Sequence, residues 1–379
     1  MIAILAAVPA VAALIAPAAD AARSEGSPAD PAGSLHAVSV LSRDEAWAVG
    51  EKLTKDGAGT VLIQHYDGHG WTSMSARLPT GASSSSLAGV AALAAGNVWA
   101  VGATNVEGVD EPLIEHGNGT RWQDVENPPL GSASLAGISG SRPDDVWAVG
   151  QAAGRALVEH WDGRHWRVAD FPDSGVPRAS DRRAGATGSE LTSVSAIAPD
   201  DVWVAGQSVD GRHSRTLIAH WDGNDWTVVP SPTPGKQKLA HLTGISASGP
   251  SDVWAVGDYA AGTALLPLIE HWDGTSWTES EAPHLTGHLR RLTAVTARTA
   301  DDAWAVGIRG GKTVILHWDG AAWTQAKTPP DDDGSFLAGV DADAADDAWA
   351  VGGRADADGF RPLRLHWDGA AWVDMPGAR

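Results

Sequence analysis

The chain has 379 residues, a formal net charge of −20 and a pI near 4.9. A field that would gather phosphates is missing, which argues against a nucleic-acid partner. It contains no cysteine, so disulfides, zinc–thiolate sites and a lipid anchor on Cys are excluded and stability must come from packing.

From the N-terminus, residues 1–22 are continuously small and apolar (Ile2, Leu5, Val8, Val11, Leu14, Ile15) and end in Ala19-Asp20-Ala21. This pattern predicts a secretory signal with an A-x-A cleavage site, although no Lys or Arg precedes the apolar run. An uncleaved N-terminal anchor is the alternative, disfavoured by Pro9 and Pro17. Residues 23–33 are rich in Ser, Pro and Gly and read as a disordered linker. The expected location is therefore extracellular, with no membrane contact after signal removal.

Residues 34–379 are occupied by seven copies of one unit, counted from Trp47, Trp99, Trp147, Trp203, Trp254, Trp304 and Trp349 at spacings of 45 to 56 residues. In the third copy the unit holds four strand-forming runs: Leu135 to Ser139, Val146 to Val149, Ala156 to Trp161 and Trp166 to Val168. Asp162-Gly163 between the last two is a hairpin signal. A period of this length built from short strands predicts an all-β, seven-bladed β-propeller with four antiparallel strands per blade. The first run is built of small residues in every copy, as in Leu87-Ala88-Gly89-Val90 and Leu337-Ala338-Gly339-Val340, and so belongs nearest the axis, where space is least. All 19 Trp lie in the outer runs, where blades diverge. Each buried indole removes about 150–250 Å² from water, a gross gain of roughly 4–6 kcal/mol. The copies are in phase with both ends of the repeat region, which predicts ring closure by packing of blade one on blade seven, without a shared sheet.

Strand alternation sorts the loops onto two faces. One carries short repeated turns such as Pro199-Asp200-Asp201 and the Asp-Gly hairpins; the other carries connections that differ in every copy, including the long insertion from Pro172 to Glu190 with Arg178, Arg182 and Arg183. Binding residues concentrate on variable loops held by a rigid scaffold. The ligand-binding candidates are therefore Arg155, Arg212, His213, Arg215, Tyr259, Arg309, Lys312, Arg354, Phe360 and Arg361.

His65, His116, His160, His220, His271, His317 and His366 recur in the third run. Sevenfold symmetry keeps them apart, so they cannot converge on one ion. Each is expected to tie the second and third strands of its own blade, bonding the backbone or Asp145, Asp201, Asp252, Asp302 or Asp347, with Glu45 and Asn97 in the first two copies. The Trp after each Asp-Gly pair reads as inter-blade packing rather than a sugar platform. The second copy departs most, with Gly117 in place of Trp and Asn118-Gly119 in place of Asp-Gly, which opens a pocket or weakens the blade. Asn118-Gly119-Thr120 also matches a glycosylation sequon. Aspartates crowd the C-terminal copy, and Asp356 and Asp358 are the residues on which calcium would be sought, but the later Glu of a calcium loop is missing. No metal, cofactor or catalytic residue is called: no Gly-x-Ser-x-Gly, phosphate loop or His-Glu-x-x-His is present.

The unit Asp-Val-Trp-Ala-Val-Gly followed by Leu-Ile-Glu-His-Trp-Asp-Gly-x-x-Trp resembles repeats of secreted bacterial β-propellers of the kelch-like or galactose-oxidase-like type. It is similar, more loosely, to the tectonin repeat of sugar-binding propeller lectins. It departs from tectonins in repeat length, lacks the Gly-Gly pair of kelch repeats, and transfers no ligand residue. The resemblance implies a non-enzymatic recognition module that binds glycan or an extracellular protein, as a monomer or within a larger secreted assembly. The alternative is a polysaccharide hydrolase or lyase with an acidic site at the mouth of the ring.

Overall fold

In a computed structural model, described for residues 30–54, 57–172, 187–236, 239–285, 287, 290–330, 333–356 and 359–377, the chain forms seven four-stranded antiparallel sheets in sequence order. They span residues 33–74, 82–124, 133–168, 187–228, 240–279, 290–325 and 336–374, blades one to seven. The apolar N-terminus, the linker up to residue 29, the three insertion arginines and Asp358 lie outside the described residues. The end of the 23–33 stretch is engaged: Asp30 contacts blade seven, and Gly33 begins the first strand of blade one, Gly33–Ser42. Among the described residues, no helix is long and apolar enough to cross a membrane.

Within each sheet the first strand is innermost and the fourth outermost. Small residues are required there because neighbouring backbones nearly touch: a Cβ on Gly137 would lie 3.0 Å from the Ser193 Cα of the next blade, and one on Gly339 would lie 2.9 Å from the Ala37 Cα. Side chains then belt the innermost strands together. Thr192, Thr243 and Thr293 donate their hydroxyls to the carbonyls of Leu242, Leu292 and Leu337 in the next blade, and His36 Nδ1–H does the same to Leu87. Lower on the strands, Ser39, Ser139, Ser195 and Ser246 accept the next blade's backbone N–H at Ala92, Ala196, Ala247 and Ala297.

Bulk fills the outer seams. The buried second-strand Trp of one blade meets the third- and fourth-strand Trp of the next, as Trp147 meets Trp221 and Trp226 with ring centroids 5.4 Å apart in both pairs. On its other side Trp147 stacks on His160 at 4.0 Å. His160 Nε2–H donates to Asp145 Oδ1 at 2.7 Å, the expected tie between second and third strands. Five more blades repeat the tie, through Asn97, Asp201, Asp252, Asp302 and Asp347. Blade one does not: Glu45 lies 4.0 Å from His65, whose buried Nε2 has no hydrogen-bond partner. In blade two the Trp122 ring lies where a side chain at 117 would begin, 2.8 Å from a Cβ there, so Gly117 makes room for an indole.

The ring closes without a shared sheet. Leu35, Val38, Tyr66 and Trp71 of blade one pack on Trp349 and Val351 of blade seven. Asp341 Oδ2 accepts the Val40 N–H at 2.8 Å, standing where blades one, three, four and five use Ser.

Candidate functional site

All ten candidates lie on strands two and three or the hairpins joining them, on the variable face, but across five blades. Arg155 opens the third strand of blade three opposite Ala152. Arg212 is at the blade-four hairpin tip, with His213 and Arg215 opposite Asp210 and Ser208. Tyr259 packs into the seam between blades four and five with Trp203 and Leu268. Arg309 and Lys312 face one another across the blade-six turn. In blade seven Arg354 stands opposite Arg361, and Phe360 meets Phe336 edge-on at 5.3 Å. They therefore do not form one pocket.

Arg354 and Arg361 share a cleft of about 330 Å³ beside Asp30, Arg364 and Asp374. Its charges are matched. Arg354 bonds Asp374 at 2.6 Å, Arg361 bonds Asp356 and the Asp30 carbonyl, and buried Arg364 grips both Asp30 carboxylate oxygens. Asp356 is thus engaged by an arginine. Among the described residues no group of three or more His, Asp or Glu is arranged to hold a metal ion. The C-terminal aspartates go separate ways, Asp346 to Arg43, Asp347 to His366 and Asp341 into the axial belt.

A second constellation lies nearer the axis. At the variable-face end of each innermost strand, one residue precedes the buried Leu: Ser34, Ser86, Ser134, Glu190, His241, Arg291 and Phe336 in blades one to seven. Each pairs in register with the residue after the Trp-Ala-Val-Gly run or its equivalent, giving Ser34 with Glu51, Glu190 with Gln207, and His241 with Asp258. In blades one to three, Glu51, Ser84, Ser86, Thr104, Asn105 and Ser134 line a polar cleft of about 140 Å³. In blades four to six the set is charged. Arg291 Nε–H donates to Asp258 Oδ1 at 2.6 Å, and His241 Nε2 lies 3.5 Å from the same oxygen. Gln207 donates to Glu190 Oε1 at 2.6 Å and accepts from the Ser214 hydroxyl at 2.5 Å.

Burial sets the protonation of this mouth. It pulls the His241 imidazole below its ordinary value, against the Asp258 charge and with that of Arg291, so the ring is neutral near pH 7. It pushes the Glu190 carboxyl up, with the Gln207 bond opposing, and burial likewise raises Glu51. A neutral imidazole, a carboxyl held up by burial and an ion-paired guanidinium offer donors, acceptors and proton carriers within three neighbouring blades. The sequence contained a signal for them: the position before the Leu runs through Ser, Glu, His, Arg and Phe from blade to blade.

No family model and no curated protein matches the chain. Solved structures do. A lectin, BP39L from Burkholderia pseudomallei, superposes with a TM-score of 0.56 at 14% identity over 92% of this chain and 100% of its own. A polysaccharide lyase, an ulvan lyase bound to -[GlcA(1-4)Rha3S]-, gives 0.60 at 10% identity over 93% and 98%. YCF48 bound to a D1 peptide gives 0.55 at 15% identity over 93% and 98%. What they share with this chain is the seven-bladed propeller. Proteins so different in activity single out neither a kelch-like nor a tectonin-like relative.

Proposed function

We propose that this propeller is an exported recognition module that holds a glycan at the axial mouth of its variable face. The observation that carries the reading is the polar set of two hydrogen-bonded pairs, Glu190 with Gln207 and Asp258 with Arg291, and of His241 beside Asp258. It breaks the repeat at the innermost strands and presents paired planar donors and acceptors of the kind sugar hydroxyls bond. The lectin and the lyase named above are sugar-directed and YCF48 binds a peptide on the same fold, so the choice of a glycan rests on this polar set. Export rests on the signal-like residues 1–22, leaving a mature propeller over 34–379. A glycan array and a pull-down from culture supernatant test the reading. Binding is expected with the wild type and is lost in His241→Ala with its melting temperature unchanged; a blank result in both assays overturns it.

One observation favours a second reading, a hydrolase or lyase. Half-buried His241, held below its ordinary value by desolvation, lies beside the Asp258 carboxylate, and Glu190 in the next blade holds its proton above the usual carboxylate range, a base and an acid on one rim. Incubation with polysaccharides should then release new reducing ends or unsaturated uronates, and that product should vanish in both His241→Ala and Glu190→Gln.

A further inference from the structure

The residue that follows the Trp-Ala-Val-Gly run, or its equivalent, sets how much room each blade leaves at the mouth. It is a Glu, Gln, Asp or Ile in five blades, Ala103 in blade two and Gly353 in blade seven. At Gly353 the space is taken, because a Cβ there would lie 2.8 Å from Phe336 Cε1. At Ala103 it stays open, and the polar cleft of about 140 Å³ lies there. That is less than the roughly 300 Å³ of a whole small-molecule site, so the cleft takes one unit of a larger ligand.

Two of its polar groups lack partners. Trp47, Val49 and Val61 pack on blade two, and strand alternation puts Glu51 on the same face, its carboxylate over Gly59, where a Cβ would lie 1.6 Å from Oε1. Among the described residues no cation and no hydrogen-bond donor meets that carboxylate, and burial alone pushes it up. Ser85, 4% exposed, lines the same cleft, and its buried hydroxyl has no hydrogen-bond partner. In blades four and five the mouth's polar groups satisfy one another, Glu190 with Gln207 and Asp258 with Arg291. Here no Lys, Arg or His lines the cleft; its other walls carry the hydroxyls of Ser84, Ser86 and Ser134, and Asp110, which accepts from Asn105 Nδ2 at 2.8 Å. Two carboxylates make no metal cage, and among the described residues no group of three is arranged as one. A half-buried carboxylate without a partner has lost hydration that a cationic donor would replace.

We infer that this cleft is a subsite for a free amino group carried on a sugar, the ammonium bonding Glu51 and the serine hydroxyls bonding hydroxyls of the same unit. The glycan of the mouth is then one with unacetylated amino-sugar units, which rests on the glycan reading and deepens it. A protein of net charge −20 draws such a polycation toward it.

The test uses the full chain with a fully deacetylated glucosamine oligomer, its N-acetylated counterpart and spermidine, an amine without a sugar. The deacetylated oligomer should bind the more tightly, with affinity falling as salt rises. Glu51→Gln should weaken it about tenfold or more and leave the acetylated oligomer unchanged. Because Glu51 has no partner to lose, the same variant should melt no lower than the wild type, an outcome that a merely structural role would reverse. Ala103→Gln, which gives blade two the side chain that blade three carries, should abolish the preference for the free amine. Asp225→Asn, on the short-turn face, should change nothing. Equal weakening by Glu51→Gln and Asp225→Asn shows diffuse charge and overturns the subsite, as does binding that ignores Glu51→Gln. Spermidine that displaces the oligomer at equal concentration overturns the sugar half of the inference. Equal binding of both oligomers, or of neither while a glycan array shows another ligand, overturns the amine and leaves the glycan reading standing. Failure of both together with a blank array overturns the glycan reading itself.

Discussion

Six seams of the ring are alike and the seventh is different. Between consecutive blades the third strand contributes an aliphatic residue two places before its His, namely Ile63, Ile114, Val158, Ile218, Ile269 and Ile315. Blade seven has Arg364 there, 1% exposed, facing blade one. Its Nε–H donates to Gln64 Oε1 across the seam at 2.9 Å, and its Nη1 and Nη2 bond both Asp30 oxygens at 3.1 and 2.8 Å. The ordinary seams are continuous in the chain, since every blade is linked to the next by backbone. The last seam joins residues about 300 positions apart and gains no such help. A buried, directional set of hydrogen bonds accepts one partner in one register, whereas an apolar seam tolerates sliding. Placing the polar set at the closure is consistent with specifying where the ring ends.

The contrast can be broken most severely at Arg364. Arg364→Ala leaves a cavity and unpairs Gln64 and Asp30, and should cost about 3–5 kcal/mol of stability, in the range found for splitting a buried pair. Arg364→Ile together with Asp30→Asn, which makes the seventh seam like the other six, should recover most of that loss in thermal denaturation. If Arg364→Ala melts with the wild type, the closure does not depend on this set. The next largest effect is expected at Asp341. Asp341→Ala orphans the buried Val40 N–H and should cost about 1–3 kcal/mol. Asp341→Ser should be milder, because Ser39, Ser139, Ser195 and Ser246 do the same work in other blades.

The ordinary seams carry a charge question of their own. Glu115, Glu159 and Glu270, one place before the His, are wholly buried; among the described residues the carboxyl oxygens of Glu115 and Glu159 have no hydrogen-bond partner, and at Glu270 the Ser231 hydroxyl opposes the rise that burial causes. Burial pushes their carboxyls up to about 8, about 7 and about 8, with Asp124 adding to the rise at Glu115. In the unfolded chain these groups ionise near 4.5, the ordinary value of a glutamate. Between that pH and the raised values the fold holds a proton that the unfolded chain has released. Their contribution is therefore full in acid, falls as pH rises through neutrality, and levels off above the folded value. Glu270→Gln should flatten the pH dependence of stability by up to about 1.4 kcal/mol per pH unit in that window. Parallel curves for variant and wild type would show that the carboxyl is already ionised in the fold.

The frame was legible because it is written seven times. Trp147 and His160 have counterparts in every copy, the Asp162-Gly163 pair follows the His after one residue in all but the second, and the small first run placed itself at the axis by size alone. Closure without a shared sheet followed from the phase of the copies. Single deviations were harder to read. Arg364 is one of many charged residues in the sequence and only register puts it in the place of Ile63, and Gly117, expected to open a pocket or weaken the blade, instead makes room for Trp122. The ten loop candidates were chosen by face and chemical type, and a face does not bring residues from blades three to seven together. Glu190, His241 and Arg291 are about 50 residues apart in sequence and become neighbours only through radial packing. The tie at His65 failed for a related reason: Glu45 is a methylene longer than Asp, and its carboxylate does not come within hydrogen-bonding distance.

The smallest effect is expected from the contact that looks most like a lock. Arg43 on a short turn of blade one and Asp346 on a short turn of blade seven form an ion pair of 2.7 Å directly across the closing seam. Their side chains are 54% and 55% exposed, and the pairing holds the aspartate below and the arginine above their ordinary values. An exposed pair is screened by water and salt and must immobilise two side chains, so its net contribution is close to nothing. Arg43→Ala should therefore leave the melting temperature unchanged at physiological salt. Hydrogen exchange in Gly33–Ser42 and Gly359–Trp367 should be equally unmoved, while Arg364→Ala accelerates it in both strands. If Arg43→Ala alone opens that seam to exchange, closure is held from the rim rather than from the buried Arg364 set, and the contrast between the seventh seam and the other six loses its physical basis.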